Sequence, residues 1–375
     1  VHFEFCNIKY YYILYKSKTK AMKKGILLSF ILSFIIMLLI SSCKEETIVN
    51  PNPVKISYQE IYYTQFQNTI PGLKTYTISQ TGTNKQLVSD GFGIISEPHS
   101  YKMLTAKIDS GFYYNDLTVM NIDGTNPVTL PVTNYYPVWA QLSPDASKVF
   151  FTCNAGNYLF VINSDGTGLI EISNDILGTE RAVSFSPDSK KIAFIESLPG
   201  VKAQLTIADV NGSNKINIKD SINYSSNFTI DWSPDGSKIA FQNSTPPNIV
   251  SIYTVNTDGT NYKNLTNAYQ WDNYPSWSPD GNYLAFFSID NLGQRGMYVI
   301  NSDGTNKRLL FLAGTNEYMI FTPMWYINGK KILYVSNVNN TDREVKIYDF
   351  DTGAITAAAF DVLYAFWNYT ILIYP

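Results

Sequence analysis

A small Gly-centred turn recurs seven times along this chain, and successive turn glycines stand 42, 42, 46, 47, 45 and 49 residues apart. The turns are Ser79–Asn84, Asn121–Asn126, Asn163–Thr167, Asp209–Asn214, Asn256–Asn261, Asn301–Asn306 and Asp349–Gly353, and most read Asn/Asp-x-Asp/Asn-Gly. Asp-Gly and Asn-Gly favour the tight turn whose positive-φ positions match the twist of two antiparallel strands, so each marks a hairpin. Hairpins repeated with a period in the forties predict the blades of an all-β propeller. With 45% hydrophobic and 15% aromatic residues the chain has ample material for such a core.

A second marker runs in phase with the first: Ser143-Pro144-Asp145, Ser186-Pro187-Asp188, Ser233-Pro234-Asp235-Gly236 and Ser278-Pro279-Asp280-Gly281. An aromatic residue, Phe185, Trp232 or Trp277, precedes three of them, and an apolar run such as Lys238-Ile239-Ala240-Phe241, read as alternating, follows. Pro followed by Asp-Gly makes a turn between two strands. This Trp-Ser-Pro-Asp-Gly, Ile-Ala-Phe and Asp-Gly-Thr-Asn pattern resembles the WD-like repeat of TolB-type β-propellers, from about Ile56 to the C-terminus.

The resemblance implies blades of four antiparallel strands, a to d from the channel outward, with Ser-Pro-Asp-Gly joining a to b and Asn-x-Asp-Gly joining c to d. No helical pattern corresponds to the N-terminal α/β domain of TolB, so the likeness lies in the repeat. Counting c-d turns gives seven blades, with six and eight left open. The first unit begins at a b-like strand near Glu60–Phe66, and Asp361–Trp367 is expected to close the ring against it, which leaves Thr370–Pro375 as a strand too many.

The N-terminus carries different information. Met22-Lys23-Lys24 and the apolar run from Gly25 to Ile40 have the charged and hydrophobic regions of an export signal, and Leu39-Ile40-Ser41-Ser42-Cys43 resembles a bacterial lipobox. The reading is residues 1–21 as a mis-called upstream region, 22–42 as a lipoprotein signal peptide with Cys43 as the lipidated residue, 43–55 as a tether and 56–375 as the propeller. Lys44-Glu45-Glu46 resembles the signal that sends lipoproteins of the Bacteroidetes group to the outer face of the outer membrane; a solvated linker facing the periplasm accounts for it equally. An envelope location follows, with the side of the outer membrane undecided.

The first 42 residues hold six of the 28 basic and one of the 31 acidic residues, so the remainder has a net charge of −8 and no basic cluster to neutralise phosphates. Nucleic acid is a poor partner. Cys153 stands alone after Cys43, which excludes a disulfide framework and makes it a packed strand residue.

Strand alternation places the a-b and c-d turns at one end of each blade. The longer b-c loops and the d-a crossings share the other end, where binding is expected because irregular loops sit there on a rigid frame. The candidate ligand-face residues are Tyr135, Tyr136, Glu180, Arg181, Tyr224, Trp271, Asp272 and Tyr318, a mixture of flat aromatics and charges that suits a protein or a sugar.

Catalytic signals are sparse. His2 and His99 are the two histidines, too few for a Ser-His-Asp triad or for the several His ligands of oligogalacturonate lyases with related repeats, and no Gly-x-Ser-x-Gly elbow follows the repeats. The Asn-x-Asp-Gly turns lack the bidentate Glu of a calcium loop. The expectation is therefore no enzyme, no cofactor and no metal, but a lipid-anchored module that binds an envelope protein through its loop face. A surface lipoprotein that binds or cleaves glycans, using Glu180 and Asp272 as the carboxylate pair, is the alternative.

Overall fold

The computed structural model describes residues 60–66, 73–79, 86–90, 92–94, 102–108, 114–153, 157–177, 182–197, 203–223, 228–245, 249–266, 271–314, 317–319, 323–326, 328–338, 342–363 and 372–373, all within the compact unit Ser57–Pro375. Among them the ordered structure is β throughout, apart from a 3-10 turn at Thr133–Tyr135. The described strands pair as four four-stranded sheets, one of eight strands in which two four-stranded groups join, and one of five, the antiparallel sheets of a β-propeller; these groups are numbered below as units from Glu60 onward. The sixth is representative: Trp271–Trp277, Tyr283–Ile289, Arg295–Asn301 and Arg308–Leu312 pair in that order, as strands a to d.

The two turn motifs do what their residues dictate. Ser233 Oγ donates to Asp235 Oδ1 at 2.6 Å and accepts the Lys238 N–H at 2.9 Å, so the Ser-Pro-Asp-Gly turn joins Ile230–Trp232 to Lys238–Thr245 with its polar groups satisfied. In the c-d turn of the same unit, Asp258 Oδ1 accepts both the amide (2.9 Å) and the hydroxyl (2.6 Å) of Thr260. Asn256 Nδ2 closes the loop on the Thr260 hydroxyl at 2.9 Å. Such side-chain contacts to the local backbone make Asn, Asp and Thr turn formers.

The strands between the turns are buried on both faces, not on alternate residues as the sequence suggested. Ile239, Ala240 and Phe241 are all fully buried and Gln242 is 1% exposed. Ile239 and Phe241 pack with Ala193, Ile195, Leu205 and Ile207 of the fourth unit, whereas Ala240 joins Trp277, Leu284 and Phe286 of the sixth. Among the described side chains, the sheets from the second unit to the seventh thus pack face to face, and their core lies between units. Cys153 is buried in the third unit's core, where loss of solvent pushes its thiol up to about 12.

Polar ties reinforce the stacking. Trp232 Nε1 donates to Ser184 O of the preceding unit at 3.2 Å, and Trp325 Nε1 repeats this with Ser276 O at 3.1 Å. The Trp277 amide donates to the Asp231 carboxylate at 2.7 Å.

The chain closes differently from the expectation. Asp361–Leu363 end the outer strand Ile355–Leu363 of the seventh unit, with Val362 opposite Arg343. Leu372–Ile373 pairs with Glu60–Phe66 instead, placing Ile373 opposite Ile61 and Leu372 opposite Tyr62. The run that looked superfluous supplies the strand the first unit lacks.

Candidate functional site

The end of the sheets that carries the b-c loops and d-a crossings presents two aromatic side chains from equivalent places. Tyr136 immediately precedes strand a of the third unit, Pro137–Leu142, and Trp271 is the first residue of strand a in the sixth. Pro137 is opposite Cys153 and Asp272 opposite Ser288, five residues into their respective b strands, so the two aromatics occupy the same register position. Tyr136 is 53% exposed and Trp271 49%. Tyr136 has φ 49°, a left-handed conformation uncommon for a bulky residue, held where its amide donates to Thr133 O at 3.2 Å.

The other candidates separate into distinct roles. Tyr135 lies edge-on against Phe151 and Phe160, with ring centroids 5.9 and 4.9 Å away, and its body belongs to the packing of the third unit. Tyr318 lies in Glu317–Met319, opposite Asn337. Glu180, Arg181 and Tyr224 lie outside the described residues, as does Cys43.

Asp272 is not a surface carboxylate. It is fully buried, and the Lys307 ammonium sits 3.2 Å from both of its oxygens, above the rings of Phe286 and Tyr298. The carboxylate is committed to this ion pair, which fixes strand a against the entry to strand d.

Two further carboxylates follow the same plan, Glu196 buried and Glu317 partly so. Glu196 accepts the hydroxyls of Ser173 (2.6 Å) and Thr206 (2.9 Å) and pairs with Lys215. Burial pushes its carboxyl up, but the Lys215 ammonium and the two hydroxyls outweigh that and hold it below the ordinary glutamate range. Glu317 pairs with Lys346 at 2.7 Å and accepts the Gly314 amide at 2.8 Å, and its carboxyl is lowered by the same balance. A Lys directly after the turn Asn, at Lys215 and Lys307, was the sequence signal for two of these braces.

Sequence reasoning also passed over Leu292. It sits at the tip of the b-c turn of the sixth unit and is 79% exposed, the most exposed large hydrophobic side chain among the described residues. Asp290 Oδ1 accepts the amides of Leu292 (2.9 Å) and Gln294 (2.8 Å), fixing that tip. Among the described residues no group of three or more His, Cys, Asp or Glu is placed to hold a metal ion.

Residues 183–361 match the family described as TolB beta propeller domain. Over this stretch, just under half of the chain, the repeat resembles that of TolB β-propellers. Similar solved structures agree on the fold. TolB from Acinetobacter baumannii is 15% identical over 79% of each chain, with a TM-score of 0.51. An oligogalacturonate lyase from Vibrio parahaemolyticus is 15% identical over 80% of this chain and 85% of its own, with a TM-score of 0.55. A puromycin-hydrolyzing peptidase from Mycobacterium tuberculosis is 13% identical over 81% of this chain and 52% of its own, with a TM-score of 0.60. No curated protein matches the sequence.

These likenesses correct one expectation. The chain was expected to be no enzyme, yet the TolB-like fold is shared with a lyase and a peptidase, so neither the architecture nor the small number of histidines removes catalysis.

Proposed function

We propose that the TolB-like propeller is a protein-binding module of the bacterial cell envelope, tethered through a lipid on Cys43, and that it meets its partner with the end bearing the b-c loops and d-a crossings. The observation that carries this reading is the repeated exposed aromatic, Tyr136 and Trp271, at the entry to the innermost strand of two units. Tyr and Trp provide large contact area at little entropic cost and are frequent interface anchors. The opposite end offers less, because its Asp, Asn and Thr side chains are used up within their own turns. The seven-unit ring and the 43–55 tether belong to the same proposal.

Crosslinking in intact envelopes tests it. A reproducible protein partner should be captured by the wild-type chain and lost when Tyr136 and Trp271 are both changed to Ala; no partner, or an unchanged one, rejects the reading. Replacement of Cys43 by Ser should release the protein from membranes, and persistence there rejects the anchor. Added protease on intact cells separates a surface location from a periplasmic one.

A further inference from the structure

Asn-Gly occurs twice in this chain, at Asn211-Gly212 and Asn328-Gly329, each at a turn position where other repeats carry Asp-Gly. Glycine has no Cβ to shield its amide nitrogen, which can attack the side-chain carbonyl carbon of a preceding Asn. The two steps share one backbone geometry. Gly212 has φ +81° and Gly329 φ +68°, and the amide of each donates at 2.8 Å to the carbonyl three residues back, Asp209 O or Tyr326 O. That bond must open before either nitrogen reacts, so it does not separate the two sites.

The Asn side chains are held differently. Asn211 Oδ1 accepts two bonds, from the Ser213 amide at 3.0 Å and the Ser213 hydroxyl at 2.7 Å. Gly212 also lies against the third unit, where an added Cβ would stand 3.7 Å from Glu171 O, Ile170 Cγ2 and Ile172 Cδ1. Asn328 Oδ1 accepts the Lys330 amide at 2.9 Å. Tyr326 and Lys330 occupy the places of Ser233 and Ser237, whose hydroxyls both donate to the corresponding Asp235, so those two restraints are missing from the Asn328 turn. Asn328 is exposed, and nothing stands within 4 Å of a Cβ placed on Gly329. One neutral hydrogen bond is a weak restraint, and the open side of Gly329 leaves room for a ring to form.

We infer that Asn328 is a site of intramolecular deamidation in the folded protein, and that the Asn211 turn protects its own Asn-Gly step. The Gly329 nitrogen gives its proton to hydroxide or a buffer base and bonds to Asn328 Cγ. The Cγ–Nδ2 bond breaks, ammonia leaves, and a five-membered succinimide remains. Water then opens the ring at one carbonyl or the other, giving Asp or isoaspartate with no change of oxidation state. The Asp product matches Asp235 and Asp280 of the equivalent turns and offers the same acceptor to the Lys330 amide. Isoaspartate instead lengthens the backbone of the hairpin that joins Met324–Trp325 to Lys331–Val338. This hairpin lies at the end of the sheets opposite the b-c loops, so the inference is independent of the protein-binding reading.

The test incubates the purified full chain in mildly alkaline buffer, folded and in urea, and follows both Asn-Gly peptides by mass spectrometry, with isoaspartate separated from Asp by chromatography. In urea the two sites should react at similar rates, because each Asn precedes Gly. In the folded chain Asn328 should react about fivefold faster than Asn211, the factor that one ordinary hydrogen bond supplies. Asn328→Gln should abolish the change at that turn and leave the Asn211 rate as it is. Ser213→Ala removes the hydroxyl bond on Asn211 from an exposed position, and should bring Asn211 up toward the Asn328 rate.

The inference falls if Asn328 stays unmodified in the folded chain while the urea sample reacts, or if folded Asn211 keeps pace with Asn328. An Asn211 rate unchanged by Ser213→Ala overturns the protection assigned to that turn.

Discussion

At Asp123, Asp165, Asp258 and Asp303 of the c-d turns a Thr stands two residues on, and its hydroxyl and amide hold the carboxyl below the ordinary aspartate range. These groups are exposed, so the pH response of the fold is better read at Glu196, which is 3% exposed. Its folded carboxyl lies below its unfolded value, so its contribution is complete above the ordinary glutamate pKa and is lost as pH falls through the folded one. Glu196→Gln is therefore predicted to be less stable than wild type at neutral pH, with a gap that closes as pH falls below the ordinary glutamate value of about 4.3. Urea denaturation at stepped pH measures this, and parallel curves over that range would refute it. The turn carboxylates were legible in the sequence because their partners lie two residues away. Asp272 was misread as a surface acid because Lys307, which claims it, lies 35 residues further along.

Among strands and turns, the glycines separate two demands that the sequence motif merges. Gly259 has φ +84°, and a Cβ there would lie 3.2 Å from Ile218 O on the outer strand of the preceding unit. Gly329 has φ +68° but nothing within 4 Å of that position. Gly329→Ala is expected to cost about 1 kcal/mol from backbone strain alone, and Gly259→Ala about 2–3 kcal/mol because strain and the clash between units add. Equal losses in urea titrations would show that the clearance between units contributes nothing. The hairpin was readable from Asn-x-Asp-Gly, but its packing on the neighbouring unit was not, since the carbonyl it approaches belongs to a different repeat. The Asp272–Lys307 brace yields a second prediction at this scale. Lys307→Met should cost about 3 kcal/mol by leaving a buried carboxylate unpaired, and adding Asp272→Leu should restore part of the loss. A double variant less stable than Lys307→Met would contradict that account.

For the molecule as a whole, the decisive interaction joins its two ends. The repeat itself was legible because its turn motifs recur along the sequence. The closing strand was not, because Asp361–Trp367 and Thr370–Pro375 are both short apolar runs and local pattern does not say which returns to Glu60–Phe66. Pairing of Ile373 with Ile61 and Leu372 with Tyr62 covers one edge of the first unit's leading strand. An uncovered edge presents unpaired amides and carbonyls and templates the addition of another chain. Removal of residues 370–375 is therefore predicted to lower the melting temperature by a few degrees, the shift that about 1–2 kcal/mol produces in a chain of this size. The truncated chain should also associate as its concentration rises. Calorimetry with size-exclusion chromatography over a dilution series checks both effects. A truncated chain that melts with wild type and stays monomeric would mean that the ring holds through stacking between units alone, with the terminal strand dispensable.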